Sequence, residues 1–108
     1  IPRVASAEYK AEFPVRLADI DMYRHVNNVV YVEWAIETLP DSLRGGWNLY
    51  DHEINFRTEA GPGDTVIAEA EEASGDGMRI FLHRLLRKRD GAEVALLRTW
   101  WKDKKSEV

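Results

Sequence analysis

Cysteine is absent from the chain, and with it go disulfides, thiolate metal sites and a cysteine nucleophile. The same absence fits a reducing compartment, so the cytoplasm is the expected location. Missing too is any run of the about 18 apolar residues that a membrane-crossing helix needs, and no membrane partner is expected. Positive charge is outnumbered: 15 Lys and Arg face 19 Asp and Glu, a formal net charge of −4. That balance opposes non-specific binding to nucleic acid. Gly-rich phosphate loops, HExxH helices and nucleophile elbows do not occur, and Gly61-Pro62-Gly63 reads as a turn. No repeat with a period of roughly 20 to 50 residues is visible. Ile1-Pro2-Arg3 brings no initiator Met and no charged-then-apolar leader, from which a processed product or a piece of a longer chain is expected.

What is present suffices for one domain. The 108 residues can bury roughly 65% of the surface that an unfolded chain exposes, which allows a single core. Apolar residues at 44% and charged residues at 31% are ordinary for a globular protein and argue against disorder. The positive charge that exists is concentrated late, in RLLRKRD (84–90) and KDKK (102–105). Such runs are either solvated strand ends or a landing site for an acidic partner.

Residues 1–7 carry no periodic signal and read as a tail or linker, 8–103 as the domain, and 104–108 as a C-terminal tail. Tyr, Phe and Val over 8–17 predict a strand. A polar loop occupies 19–27, with Asn27 or Asn28 a good N-cap for a helix beginning there. From 29 to 39 nearly every position is apolar, Glu33, Glu37 and Thr38 excepted. Period alone does not separate a buried helix from a buried strand there; the cap, the length and Pro40 just beyond favour a helix. Apolar nearly all round, it has to be wrapped by something else. Residues 40–49, with Gly45-Gly46, read as a connecting loop.

Four strands are predicted next. On the first, His52, Ile54, Phe56 and Thr58 share one face, and Glu53, Asn55, Arg57 and Glu59 the other. GPGD (61–64) turns the chain into a strand over 65–72, where Val66, Ala68 and Ala70 alternate with polar residues after Ile67. SGDG (74–77) is a hairpin signal with Asp76-Gly77 at its tip. Strands over 79–88 and 94–102 flank the turn RDGAE. The order predicts an α+β domain in which a strand and a four-stranded antiparallel meander form a sheet curled around one buried helix.

ADIDMYRHVNNVVYVEW (18–34) sets two aspartates and a histidine at the mouth of that helix. Along an extended segment, Asp21, Tyr23 and His25 point to one side, just ahead of amides that carry partial positive charge and can stabilise an oxyanion. A carboxylate, an imidazole and helix-start amides are the parts of an acyl-transfer site. Glu59, expected at a strand end before the Gly61-Pro62-Gly63 turn, is the candidate for a carboxylate that activates water. Each residue also has a plain structural role open to it: Asp21 as a loop cap, His25 as a satisfied half-buried histidine, Glu59 as a solvated charge. His52 and His83 stand in strands without a nearby second ligand, and no metal site is expected from them.

DIDMYRHVNNVVYVEWAIETLP (19–40) resembles the helix-entry motif of the acyl-[acyl carrier protein] thioesterases, a hotdog-fold family. INFRTEAGPGD (54–64), LHRLLR (82–87) and LLRTWWK (96–102) match in the same order. Broader hotdog thioesterases acting on acyl-CoA share HVNN and usually continue differently. The resemblance implies a hotdog fold, hydrolysis of fatty acyl thioesters on acyl carrier protein, and no cofactor. It further implies the second of two hotdog repeats, the other supplying chiefly the acyl tunnel. The family pattern of Asp, Asn and His at alternate positions falls on Asp21, Tyr23 and His25, and its catalytic Glu on Glu59. Tyr23 thus replaces an Asn, and a phenol lacks the amide's donor and acceptor pair.

The resemblance also implies roles for these residues. Glu59, with Asp21, orients and deprotonates water, while His25 and the amides around Asn27, Asn28 and Val29 stabilise the oxyanion; His25 with Asp21 as the base pair is the alternative. Trp34 lines part of the acyl site, or simply packs a core. Arg84, Arg87, Lys88 and Arg89, with the lysines of 102–105, form a docking surface for the acidic carrier. Two rival readings stand beside this one: a stand-alone homodimeric hotdog acyl-CoA thioesterase, and a non-catalytic hotdog module for acyl binding or assembly, to which Tyr23 points. A second hotdog unit against an exposed sheet edge is expected under both.

Overall fold

Strand-forming segments with one apolar face need a partner layer, and a single helix supplies it here. The computed structural model describes residues 1–75 and 77–106; Asp76, the expected hairpin tip, and Glu107 and Val108 of the expected tail lie outside the described residues. Five antiparallel strands, β1 (Tyr9–Pro14), β2 (Trp47–Phe56), β3 (Thr65–Ala73), β4 (Arg79–Arg87) and β5 (Glu93–Asp103), form one sheet in the order β1-β3-β4-β5-β2. Helix α1 (Asn28–Glu37) packs over β3, β4 and β5.

Register explains the fit. Ala11, Ala68, Leu85, Ala95 and Phe56 stand in one row across the sheet, and Tyr9, Ala70, His83, Leu97 and Ile54 in the next. Facing residues share a side of the sheet. The alanines at the centre of this inward side leave room for Tyr31, Trp34 and Ala35 of α1, all buried. A large apolar side chain, once fully buried, contributes about 1.5–3 kcal/mol. A second cluster, Leu39, Leu43, Ala70, Phe81 and Trp101, closes the other end of the core.

Four expectations are corrected. First, β2 pairs with β5 rather than with β3, so the meander is confined to β3, β4 and β5. The connection 57–64 is too long for a tight hairpin, and its hydrogen bonds tie it to the start of α1: the Val26 amide donates to the Ala60 carbonyl at 3.1 Å, and the Ala60 amide to the Tyr31 hydroxyl at 3.0 Å. Second, the segment 40–49 is not all loop. It holds α2 (Asp41–Gly46) and the start of β2. Asp41 in the first turn pairs with Arg44, and Leu43 is buried in the second cluster. A bulge between Leu49 and Asp51 breaks the alternation of β2, which hides its first half from a period-2 reading.

Third, α1 is not wrapped. One stripe is buried, whereas Glu33 and Glu37 lie on the open side and Val29 is 62% exposed, because a single sheet covers a single side. Likewise His52 and Phe56 of edge strand β2 stay exposed, Phe56 although its ring lies 6.0 Å from that of Tyr31 on α1. Fourth, the N-terminal segment is laid across the outer side of the sheet. Arg3 pairs with Glu93 on β5, the amides of Ala5 and Ser6 donate to the Glu71 carboxylate on β3, and Val4 is buried.

Candidate active site

The segment between β1 and α1 was expected to run extended, and it forms a tight turn instead. Ile20 and Val26 make an antiparallel bridge. Inside it the Asp21 amide donates to the His25 carbonyl at 2.9 Å and the Arg24 amide to the Asp21 carbonyl at 3.0 Å. Met22 and Tyr23 occupy the corners, 86% and 73% exposed. Arg24 takes a φ of +65°, the left-handed region that few residues other than glycine adopt. Asp21 Oδ1 accepts from the Tyr23 amide at 2.9 Å and from the His25 amide at 3.3 Å, so the carboxylate shapes the turn that presents His25.

Glu59 lies past the end of β2, in the connection to β3, rather than at a strand end. Its carbonyl accepts from Arg87 Nη1 at 2.7 Å. The Arg87 fork also grips Asp90, and that hydrogen bonding pulls the Asp90 carboxyl down to about 2. One residue on, the Tyr31 hydroxyl accepts from the Ala60 amide; burial pushes the phenol above its ordinary pKa, which keeps it neutral. Farther along, Asp64 accepts from the Gly61 amide and from Arg89. Burial would raise the Asp64 carboxyl, but those two donors outweigh it and hold it below the usual range.

These supports bring His25 Nε2 to 3.2 Å from Glu59 Oε2, with the two side chains 50% and 65% exposed. The pair opens into a cleft of about 450 Å³ that Asp21, Tyr23, Asn28, Tyr31 and Phe56 also line. Asn27 is the N-cap of α1: its side-chain oxygen accepts from the Val29 amide at 3.0 Å and its carbonyl from the Val30 amide at 2.9 Å. The Val29 amide is therefore occupied, and its side chain points to solvent. The Asn28 amide has no hydrogen-bond partner among the described residues, which leaves it as the helix-start donor at the cleft.

Other candidates lie elsewhere. Trp34 does not reach this cleft: it stacks on Phe13, 5.7 Å between centroids, in a separate groove of about 540 Å³ between β1 and α1, with Tyr31 edge-on to it at 5.8 Å. The basic run does not form a free patch either. Arg84 is held by Glu69, Arg87 by Asp90 and the Glu59 carbonyl, Lys88 by Glu12 and Arg89 by Asp64. Strand alternation sends Arg84 to the outer side and Arg87 to the inner. His52 is exposed on β2, and His83 is buried with Nε2 2.8 Å from Thr99 Oγ1. Among the described residues no three His, Asp or Glu side chains gather as a metal site. Residues that the sequence pattern did not assign to the site are Tyr31 and Phe56 as cleft walls and Arg87 as the support of Glu59; only the placement of Tyr31 one turn inside the Asn27 cap signalled the first of them.

Over 91 residues the chain is 34% identical to a dodecanoyl-[acyl-carrier-protein] hydrolase of Cinnamomum camphora, covering 82% of this chain and 24% of that protein. The chain thus spans about a quarter of that relative's length. Its fold superposes on the 12:0-ACP thioesterase of Umbellularia californica with a TM-score of 0.84 at 27% identity, covering 96% of this chain and 38% of that one. A putative oleoyl thioesterase of Lactobacillus plantarum gives 0.81 at 26% identity, over 95% of this chain and 42% of that one. The sheet and helix are those of a hotdog fold. Residues 3–103 match the family described as the acyl-ACP thioesterase C-terminal domain, and the chain belongs to that family.

Proposed function

We propose that this chain hydrolyses fatty acyl thioesters borne on acyl carrier protein and releases the free fatty acid. The observation that carries the reading is the 3.2 Å approach of His25 Nε2 to Glu59 Oε2 beside an open helix-start amide. In this reading the Glu59 carboxylate takes a proton from water, whose oxygen attacks the thioester carbonyl carbon. The oxygen that gains negative charge meets the Asn28 amide and His25. Collapse breaks the carbon–sulfur bond, and the thiolate leaves with the proton held by Glu59. Asp21 orients His25 through the turn. Tyr23 stands at the rim of the cleft, where its phenol can donate.

A half-exposed catalytic pair works best when water and substrate are confined, so a second hotdog unit completes the site in our reading. The edge strand β2 supports it, since Leu49, Tyr50 and Phe56 are 37%, 57% and 43% exposed there. The relatives' greater length supports an N-terminal repeat of the same chain as that unit; a second copy is the alternative. The absence of cysteine is consistent with a reducing compartment, the cytoplasm in this proposal.

The test is thioester hydrolysis with acyl-carrier and acyl-CoA substrates of several chain lengths, using His25→Ala as the control. Carrier-dependent turnover that disappears in the control supports the proposal. Turnover indifferent to the carrier favours the acyl-CoA reading, and none at all, with an upstream repeat present, favours a binding or assembly module.

A further inference from the structure

We propose that the turn between β4 and β5 is a clamp that positions Glu59 against His25, with Arg87 and Arg89 as its two arms and Asp90 as the brace between them; the inference rests on the function proposed above, in which Glu59 activates water. The loop 57–64 carries Glu59 between two strands that are not neighbours, β2 at one edge of the sheet and β3 on the far side of β4 and β5. Three strand spacings separate its ends, roughly 14 Å along the sheet. A loop that crosses such a span belongs to no ladder, and a side chain borne on it keeps its place only where other groups hold the backbone.

The two arms hold it at two points. Arg87 Nη1 donates to the Glu59 carbonyl at 2.7 Å, while its Nε and Nη2 donate to Asp90 at 3.1 and 2.7 Å. Arg89 Nε donates to Asp64 Oδ1 at 2.8 Å, and Asp64 Oδ2 accepts from the Gly61 amide at 3.0 Å. Asp90 Oδ2 stands between the arms, 2.7 Å from Arg87 Nη2 and 3.6 Å from Arg89 Nη1. The turn that presents them is itself closed, since the Gly91 amide donates to the Arg87 carbonyl at 2.7 Å and the Ala92 amide to Asp90 Oδ1 at 3.2 Å. A planar guanidinium engaged through all three nitrogens is fixed in direction, and its forked bonds to a carboxylate are stronger than neutral ones.

The basic run thus divides by partner. Arg84 and Lys88 reach Glu69 of β3 and Glu12 of β1, whereas Arg87 and Arg89 reach the loop that bears Glu59. Arg87, Arg89 and Asp90 do not line the cleft, so they are positioning residues that act through Glu59. Part-exposed ion pairs contribute little to folding, whereas displacing a reacting group by about 1 Å can cost about a hundredfold in rate. The clamp therefore has more leverage on turnover than on stability.

The experiment compares the full protein with Arg87→Gln and Asp90→Asn, each also made in a Glu59→Gln background, and with Arg84→Gln as a control from the same basic run. Asparagine at position 90 keeps an oxygen for the Ala92 amide, so this variant carries the test if Arg87→Gln does not fold. Hydrolysis is measured on an acyl-carrier thioester and on the same acyl group as a pantetheine thioester. Expected is a fall in kcat of at least about tenfold for Arg87→Gln and a smaller fall for Asp90→Asn, equal on the two substrates, with KM unchanged, the control unaffected and no further fall in the Glu59→Gln background. Unaltered kcat in both variants, a loss confined to KM or to the carrier substrate, or a further fall in the absence of the Glu59 carboxylate overturns the proposal. If the unmodified protein hydrolyses neither substrate, the proposed activity fails on its own, and hydrogen exchange of the Ala60 and Gly61 amides decides the clamp: faster exchange in the variants upholds it, and unchanged exchange overturns it.

Discussion

The backbone amide of Val26 donates to the carbonyl of Ala60 at 3.1 Å, and each of these residues directly follows one member of the pair His25 and Glu59. The same stretch of backbone is held again, at the Glu59 carbonyl by Arg87 and at the Ala60 amide by Tyr31. Backbone hydrogen bonds anchored in the sheet and the helix thus set the approach of imidazole to carboxylate. Two exposed side chains would otherwise lose the contact to solvent and rotamer freedom.

Tyr31→Phe tests that anchoring. The substitution keeps the buried ring and removes the acceptor of the Ala60 amide, in a residue that is 1% exposed. Leaving a buried donor unpaired costs about 1–3 kcal/mol. A lower midpoint in chemical denaturation and a fall in thioester turnover are expected. If neither changes, the phenol does not hold the Glu59 segment.

Glu59→Gln keeps the shape and the bond from Arg87, which goes to the main-chain carbonyl. Turnover is expected to fall at least about tenfold, roughly 1.4 kcal/mol of barrier, with the folding midpoint nearly unmoved. Full activity in the variant would remove Glu59 from the mechanism.

Tyr23→Asn places at this corner the residue that the family pattern carries. The Tyr23 side chain is 73% exposed, and asparagine suits a turn, so stability should change by less than about 0.5 kcal/mol. A higher kcat on acyl-carrier substrate is expected, because the amide supplies both a donor and an acceptor beside the reacting carbonyl. A drop in kcat would show instead that the phenol contributes to the site.

Acid should weaken the fold through His83. Burial lowers its pKa from 6.5 to about 4, and the folded protein keeps the ring neutral, bonded to Thr99 Oγ1. Because the folded value is the depressed one, the unfolded chain binds more protons between these limits. The contribution is present in full above pH 6.5 and is lost as the pH falls toward 4, on the order of 3 kcal/mol in total. Melting curves of His83→Gln should show a shallower loss between pH 6.5 and 4 than the unmodified chain. Equal slopes would mean that His83 is not the titrating group.

Much of the architecture was legible in the residues themselves. Val66, Ala68 and Ala70 alternate because β3 has neighbours on both edges and a helix over one side, and a strand so placed must separate its faces. Asn27 marked the start of α1 because an amide oxygen there satisfies a free helix amide, here that of Val29. Glu59 stood out beside Asp21 and His25 as a carboxylate just before the Gly61-Pro62-Gly63 turn, and the family resemblance implied the same set; the distance that joins His25 to Glu59 came from the fold. β2 stayed partly hidden, since the bulge between Leu49 and Asp51 shifts its alternation and its edge position leaves apolar side chains exposed.

What the sequence by itself determined was local: strand periodicity, turn chemistry, the cap of the helix and the residue types of an acyl-transfer site. Tertiary structure alone decided that β2 lies beside β5, that Arg87 supports the Glu59 backbone, and that Trp34 looks into another groove. The physical reason is range. Periodicity and caps arise between residues a few places apart, whereas the bond from Val26 to Ala60 joins segments that only the packing of helix against sheet brings together.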